Sequence, residues 1–427
     1  MYTFNREAYN KRMEWYLDAR FGMFIHWGLY SIPARGEWLR SEEEITKEDY
    51  MKYFEEFNPS NYNPKAWARA AKEAGMKYVV LTAKHHDGFC LYDSQYTDFK
   101  STNTKLGRDV VKDFVEAVRE EGLKVGLYFT IIDWYHDDYP HYGDKFHPMR
   151  KNPEFNNEGR NFDNYLTYMH NQIREICTNY GKIDLLWFDF SYDDMRGEKW
   201  KATELMSMVR SLQPDVIIDN RLECSGEGLG SLAACDPTPY HGDFVTPEKM
   251  IPPNGIQDVQ GNDIAWEACV TMNNNWGFCA VDHFFKPASM LIKKLVECVS
   301  KGGNMILNVG PDARGNIPEE SMEILKGIGD WMKKNGSSIY GCGKTQMPKP
   351  DYGRVTGKGN HLYFHLFENT IGPVPLLGVP KERVKGIRYL ATGAELPVST
   401  SSVHSDYPDI VFADLGPDPV LPDQTDT

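Results

Sequence analysis

KYVVLTAKHHDG (77–88), RDVVKDFVEAVREEG (108–122) and KVGLYFT (124–130) follow one another along the chain. The first and third are short apolar runs rich in β-branched and aromatic residues, and the one between them repeats its apolar positions at helical spacing. Strand, helix, strand in that order makes the two strands parallel and lays the helix over them. The alternation continues in both directions. Upstream lie FGMFIHWG (21–28) and the helical PKAWARAAKEAG (64–75), which opens with proline in its first turn and ends on glycine. Downstream, the strand runs IDLLWFDF (183–190), VIIDNR (216–221), WEACVTM (266–272) and NMILNVGP (304–311) interleave with the helical runs 162–181, 198–212, 288–302 and 319–336. Seven strands over about 310 residues fit the size of a barrel. They predict an α/β fold, a (β/α)8-like TIM barrel with one strand unread. The gap is the Gly- and Pro-rich stretch 225–263, which shows no helix and reads as long loops. After Gly341 the texture changes to period-2 alternation with turn residues, as in KPDYGRVTGKGNHLYFHLFEN (349–369). Residues 1–341 therefore read as the barrel, and 342–427 as a small C-terminal antiparallel β-sandwich. The polar ending DQTDT predicts a sandwich short of its last strand.

Composition narrows the function. The 427 residues carry 47 Lys+Arg against 61 Asp+Glu, a net charge of −14, which argues against a nucleic-acid binder because phosphate neutralisation needs a basic face. With 41% hydrophobic and 25% charged residues the chain is an ordinary globular one. The 10 Trp, 24 Tyr and 21 Phe are many, and aromatic faces are what proteins lay against the C–H faces of neutral sugars. The eight cysteines include no C-x-x-C pair and read as free thiols. No apolar h-region opens the chain and no 18-residue apolar stretch occurs, so a soluble protein is expected: cytoplasmic, or periplasmic, secreted or lysosomal if a signal has been removed.

Active sites of barrels form at the C-terminal ends of the strands. Those ends carry His26-Trp27, His85-His86-Asp87, Tyr128, Trp187-Phe188-Asp189 and Asp219-Asn220-Arg221. Each has a plain structural explanation when taken alone. His26 reads equally as a satisfied buried histidine, and Asp189 as half of an ion pair with a loop Lys or Arg. The pair His85-His86 suggests metal, but the H-x-H pair of a metal-dependent barrel hydrolase is missing from the first strand. Adjacent strand residues point to opposite faces, so both histidines serve one site only where the strand has ended or bulged. GCGKT (341–345) imitates a P-loop but has Ser338 where glycine is required, and Gly226, Gly228 and Gly230 in CSGEGLGS form no dinucleotide motif.

Together the segments RFGMFIHWGLYSIPARGEW (20–38), YVVLTAKHHDGFCLYDS (78–94), GLYFT (126–130), DLLWFD (184–189), DNR (219–221), WEACVTMNNNWGF (266–278) and KGGNMILNVGP (301–311) resemble glycoside hydrolase family 29, the α-L-fucosidases. The resemblance covers about residues 10–340 and implies the same architecture of barrel and sandwich. It implies that Asp189 is the nucleophile, although the residue after it, often glycine in the family, is Phe190 here. His26, Glu37, Trp38, His85, His86, Tyr128, Trp187 and Arg221 match positions around the sugar, and Phe24 and Trp276 match apolar positions near its C6 methyl group. For the general acid/base, family members use different loops: Glu248 in GDFVTPE (242–248) fits one placement and Glu267 in WEACVT the other. Glu248 is favoured because it lies in a long loop free to reach over the site, whereas Glu267 opens a strand.

The chemistry fits those residue types. A retaining glycosidase needs two carboxylates about 5–5.5 Å apart, one to attack the anomeric carbon and one to protonate the leaving oxygen. A neutral deoxy-sugar needs partners that both donate and accept, which His and Tyr supply, and an apolar wall for its methyl. An arginine such as Arg221 beside the nucleophile favours its charged form. The expectation is a retaining exo-α-L-fucosidase acting on fucosylated oligosaccharides or glycoconjugates, with no metal or cofactor, no nucleic acid and no membrane insertion. Two alternatives stay open: an inactive fucose-binding protein of the same fold, and a metal-dependent hydrolase built on His26, His85, His86 and Asp189.

Overall fold

The computed structural model describes residues 2–224, 228–399, 406–416 and 425–427. Gly226 of the glycine-rich run lies outside them. In chain order the elements of the first part are α1 (Arg6–Ala19), β1 (Phe21–Ile25), α2 (Leu39–Glu42), α3 (Lys47–Glu56), α4 (Pro64–Glu73), β2 (Tyr78–Lys84), α5 (Val110–Glu120), β3 (Lys124–Thr130), α6 (Phe162–Asn179), β4 (Leu185–Asp189), α7 (Ala202–Leu212), β5 (Ile217–Ile218), β6 (Glu267–Thr271), α8 (Ala288–Ser300), β7 (Asn304–Val309) and α9 (Glu319–Asn335). Each strand read from the sequence is present, trimmed by a few residues, as is each helix. The helices α1 to α3 were not read. In α1 the buried positions Tyr9, Arg12, Met13, Tyr16 and Ala19 include an arginine, which blurs its apolar stripe.

The strands form one parallel sheet in the order β5-β4-β3-β2-β1-β7-β6, consistent with a (β/α)8-like barrel. The gap between the edge strands β5 and β6 is spanned by residues 243–249, within the stretch read as long loops. Asp219 bridges Phe244 in parallel, and Val245 and Glu248 bridge Trp266 and Cys269, also in parallel. Asp243 anchors this segment. Its Oδ1 accepts from Arg12 at 2.6 Å, its Oδ2 accepts from Arg210 at 2.6 Å and from the Ile218 amide at 2.9 Å. Burial opposes the charge, yet the two guanidiniums hold the Asp243 carboxyl below its ordinary range. Removing one partner of such a buried pair costs about 3–5 kcal/mol, so α1, α7 and the segment are tied at one point.

Strand alternation separates two cores. Met23, Ile25, Val79, Leu81, Leu127, Leu186 and Phe188 face outward and pack under the helices. Phe24, Tyr78, Val80, Tyr128, Leu185, Trp187, Ile217, Phe244, Cys269 and Ile306 face inward and form a second cluster, which α1 completes with Tyr9, Met13 and Tyr16. Gly22 makes room for the Tyr78 ring, which a side chain there would strike. Glu267 is the first residue of β6 and lies in this floor, fully buried. Tyr78 donates to its Oε2, and burial pushes its carboxyl up to about 7 against the pull of Tyr78, Tyr16 and Trp187.

Among the described residues the C-terminal part holds three two-stranded antiparallel sheets. β8 (Gly353–Lys358) pairs β9 (His361–Leu366), β10 (Val374–Leu376) pairs β13 (Val411–Ala413), and β11 (Ile387–Arg388) pairs β12 (Glu395–Leu396). Tyr352, Leu366, Val374, Leu376, Val411 and Ala413 form their core. Trp331 of α9 donates to the Thr425 carbonyl at 2.8 Å, and Arg354 pairs with Glu297 of α8 at 3.1 Å. All eight cysteines are free thiols. Among the described residues no helix is long and apolar enough to cross a membrane.

The floor carboxyl makes a stability prediction. Its folded pKa of about 7 exceeds the ordinary value of 4.5, so the folded state binds more protons and stability from this group falls as pH rises between those values. Ionisation at alkaline pH therefore costs on the order of 3 kcal/mol. Glu267→Gln cannot ionise, and the drop in Tm between pH 5 and pH 8 should shrink in the variant. An unchanged drop, measured by calorimetry on both proteins, would remove Glu267 from that role.

Candidate active site

The strand ends converge on one carboxylate. Asp189 closes β4, two residues after the inward-facing Trp187, so alternation turns both into the barrel. Its Oδ2 accepts from the Tyr128 hydroxyl at 2.8 Å and its Oδ1 accepts from Arg221 Nη1 at 2.7 Å. Arg221 is fixed from its other side, Nε donating to Thr246 Oγ1 at 2.9 Å and Nη2 to Glu248 Oε2 at 3.2 Å. Its guanidinium also lies 4.5 Å over the Trp187 ring. Burial works against that cation, but Asp189 and Glu248 hold it charged. One guanidinium thus joins the two carboxylates that the sequence placed at a strand end and in a long loop.

Glu248 arrives at this position through the segment that fills the strand gap. The Cys269 amide donates to the Pro247 carbonyl at 3.1 Å, and the Lys249 amide donates to the Cys269 carbonyl at 2.9 Å. The chain turns at Lys249, whose φ is 51°. The Glu248 side chain is 41% exposed while Asp189's is 12% exposed, so the first faces the solvent side and the second the interior. Glu267 stands at the other end of β6, in the floor described above.

His85 and His86 both reach the site because β2 ends at Lys84, after a register shift between Thr82 and Lys84. Their rings lie 4.1 Å apart. His86 Nε2 is 4.0 Å from Asp189 Oδ2, and its Nδ1 is 2.7 Å from Thr130 Oγ1. His85 packs against Tyr128 at 5.7 Å and His26 at 5.7 Å, and its buried Nδ1 has no partner among the described residues. Burial lowers all three histidines, His26 and His86 to about 3 and His85 well below its ordinary value. At neutral pH each ring is uncharged, with one donor and one acceptor nitrogen.

The remaining side chains wall this space. Phe24 packs on His26 at 4.5 Å, on Trp187 at 5.3 Å and on Trp276 at 6.2 Å. Trp38 meets His86 at 5.1 Å and Phe190 at 5.4 Å. Phe190, where the family pattern favours glycine, takes a left-handed φ of 92°. Its ring packs on His86 and Phe146 at 4.8 Å each, contacts that offset the backbone strain. Glu37 is buried, and its Oε2 accepts from the Gly277 amide at 2.7 Å. Burial raises its carboxyl above the ordinary range. The structure therefore brings Phe24, His26, Glu37, Trp38, His85, His86, Tyr128, Trp187, Asp189, Arg221, Glu248 and Trp276 to one end of the barrel. Sequence reasoning did not single out Thr246 or Thr130, although both lie next to residues it named. Among the described residues no group of three or more His, Cys, Asp or Glu is arranged to hold a metal ion.

The profile of the alpha-L-fucosidase family matches residues 1–337. The alpha-L-fucosidase of Dictyostelium discoideum is 28% identical over 86% of this chain and 80% of its own. Human plasma alpha-L-fucosidase is 30% identical over 76% of this chain and 68% of its own. Alpha-L-fucosidase isoenzyme 1 from Paenibacillus thiaminolyticus superposes with a TM-score of 0.95 at 55% identity, covering 98% of both chains. A glycoside hydrolase family 29 alpha-L-fucosidase from Bacteroides thetaiotaomicron, solved as a trapped covalent intermediate with 2-fluoro-fucosyl fluoride in a glutamate-to-glutamine variant, superposes at 0.82 with 29% identity, over 97% of this chain and 94% of its own. A polar and aromatic barrel mouth centred on an arginine-held carboxylate and the match over four fifths of the length agree: this chain is an enzyme of the alpha-L-fucosidase family, glycoside hydrolase family 29.

Proposed function

We propose that the enzyme is a retaining exo-α-L-fucosidase that removes terminal α-L-fucose from oligosaccharides or glycoconjugates, with Asp189 as nucleophile and Glu248 as general acid/base. The observation that carries the reading is the single guanidinium of Arg221 bonded to both carboxylates. Two carboxylates held by one fork suit a covalent route, in which the second group needs no space for a water between them. Their environments differ as their tasks do. Asp189 sits deep, bonded through both oxygens, and Glu248 sits half-exposed where a leaving sugar departs.

In the first step an Asp189 oxygen bonds to the anomeric carbon of the α-fucoside, the bond from that carbon to the leaving oxygen breaks, and the Glu248 carboxyl gives that oxygen its proton. In the second step Glu248, now a carboxylate, takes a proton from water as the water oxygen bonds to the anomeric carbon and the bond to Asp189 breaks. Two inversions restore the α configuration. Neutral His26, His85 and His86 face the sugar hydroxyls, His26 and His86 each with Nδ1 already engaged, by Asn308 and Thr130, and Nε2 left for the sugar, and Phe24 with Trp276 supplies the apolar wall for the C6 methyl. We assign residues 1–341 to the catalytic barrel and 342–427 to an appended β-sandwich that holds α8 and α9 through Arg354 and Thr425.

Asp189→Ala should fall by about a thousandfold or more in kcat on an aryl α-L-fucoside with its fold intact by circular dichroism, a loss of roughly 4 kcal/mol in transition-state stabilisation. More than about a tenth of normal activity takes the nucleophile role from Asp189. Glu248→Ala should lose far more activity on a fucosylated oligosaccharide than on an activated aryl fucoside, since only the poor leaving group needs the proton. Azide should restore its rate on the activated substrate and yield α-fucosyl azide, identified by NMR. Rescue seen only in Glu267→Ala transfers the acid/base role to that residue.

A further inference from the structure

Asn308 lies on β7, opposite Phe24 of β1 in the sheet register, and is buried. Its side-chain amide makes two contacts at the wall of the site. Nδ2 donates to the Trp276 carbonyl at 2.7 Å, and Oδ1 lies 2.7 Å from His26 Nδ1. The two contacts together decide a proton. A carbonyl only accepts, so the amide nitrogen must face Trp276 and the amide oxygen must face His26. An amide oxygen also only accepts, so His26 Nδ1 must be the donor. In a neutral ring that leaves Nε2 bare.

We propose that Asn308 is a positioning residue that locks His26 in the Nδ1–H tautomer, so that His26 Nε2 serves as a hydrogen-bond acceptor for a hydroxyl of the bound sugar, and that fixes the Trp276 wall through the same amide. The proposal rests on the reading of the barrel mouth as the fucosyl site. The wall is held as tightly as the ring. The peptide between Trp276 and Gly277 has its carbonyl on Asn308 Nδ2 and its N–H on Glu37 Oε2, so both of its polar groups are spoken for. Gly310 lets the loop come this close, since a Cβ there would sit 2.7 Å from the Trp276 carbonyl oxygen and 2.8 Å from the Phe278 nitrogen. His26 and Trp276 then face each other with ring centres 5.1 Å apart. The other groups around His26 leave its proton placement to Asn308. His85, Tyr128 and Phe24 meet it by ring contacts, and the nearby His86 and Lys249 both disfavour a second proton on the ring.

The test reads the tautomer directly, in the full chain and without substrate. Long-range proton–nitrogen NMR of histidine-labelled enzyme, with His26 assigned by the signal lost in His26→Gln, should show a protonated Nδ1 and a bare Nε2. A protonated Nε2 in the native enzyme overturns the proposal whatever the substrate is, and activity lost or kept in Asp189→Ala does not bear on it. Asn308→Leu removes both contacts. It should release the tautomer and raise KM about tenfold, whereas a merely structural defect would lower the amount of active enzyme and leave KM in place. Asn308→Asp keeps the acceptor but adds a charge that favours the imidazolium, whose Nε2–H can no longer accept. The acid limb of its kcat/KM profile should therefore move up by about one pH unit. An unchanged tautomer and a KM within about twofold of native in Asn308→Leu, or an unmoved acid limb in Asn308→Asp should the leucine variant not fold, contradicts the assignment.

Discussion

The arrangement of the site depends on the ion pair and hydrogen bonds of Arg221. Its guanidinium is buried over the face of Trp187, where an unpaired cation would be expensive, and it is satisfied by Asp189, Thr246 and Glu248. Charge-assisted bonds of this kind are directional, and the planar fork sets where the two carboxylates stand. The constraint reaches backward into the fold. Arg221 follows β5, a strand of only two residues, and Thr246 and Glu248 belong to the irregular segment that spans the gap beside it. The least regular part of the sheet is therefore the part that carries Glu248, and it is held in place by the Asp243 carboxylate between Arg12 and Arg210.

Burial does the other half of the electrostatic work. Three histidines packed on aromatic rings lose the solvation that a positive charge needs, and each stays neutral. A neutral imidazole meets a hydroxyl either as donor or as acceptor, which suits a sugar better than a fixed cation does. The same burial acts in the opposite sense on Glu267, whose carboxyl is pushed toward neutrality in the floor. The glutamate that opens β6 and the one that pairs beside it thus have different surroundings: Glu267 in a dry layer of tyrosines, Glu248 at the solvent edge against Arg221.

Much of this was legible in the sequence, for a physical reason. A barrel strand is apolar on both faces, so its run is continuous and stands out, and the polar residues that break the run at its end are the ones that open into the site. That logic found His26, the His85-His86 pair, Tyr128, Asp189 and Arg221. It also placed Glu267 at the start of a strand, the end away from the site. What could not be read was pairing that leaves no pattern. Residues 243–249 contain Pro247 and touch their neighbours through isolated bridges, so they show neither alternation nor an apolar run. The histidine pair needed the register shift at the end of β2 before both rings could point one way, and the left-handed backbone of Phe190 is favoured in glycine, not phenylalanine. The amide of Asn308 reads from the sequence only as a polar residue in an apolar strand.

The central claim is that Asp189 forms a covalent bond to the sugar. Incubation of the native enzyme with 2-fluoro-fucosyl fluoride, followed by proteolysis and peptide mass spectrometry, tests it most directly, because the C2 fluorine slows both steps while the fluoride leaving group keeps formation fast, so the glycosyl-enzyme accumulates. The account predicts a single fluorofucosyl adduct on the peptide containing Asp189, absent from Asp189→Ala. An adduct on Glu248 or Glu267, or inactivation with no adduct on any peptide, would contradict it.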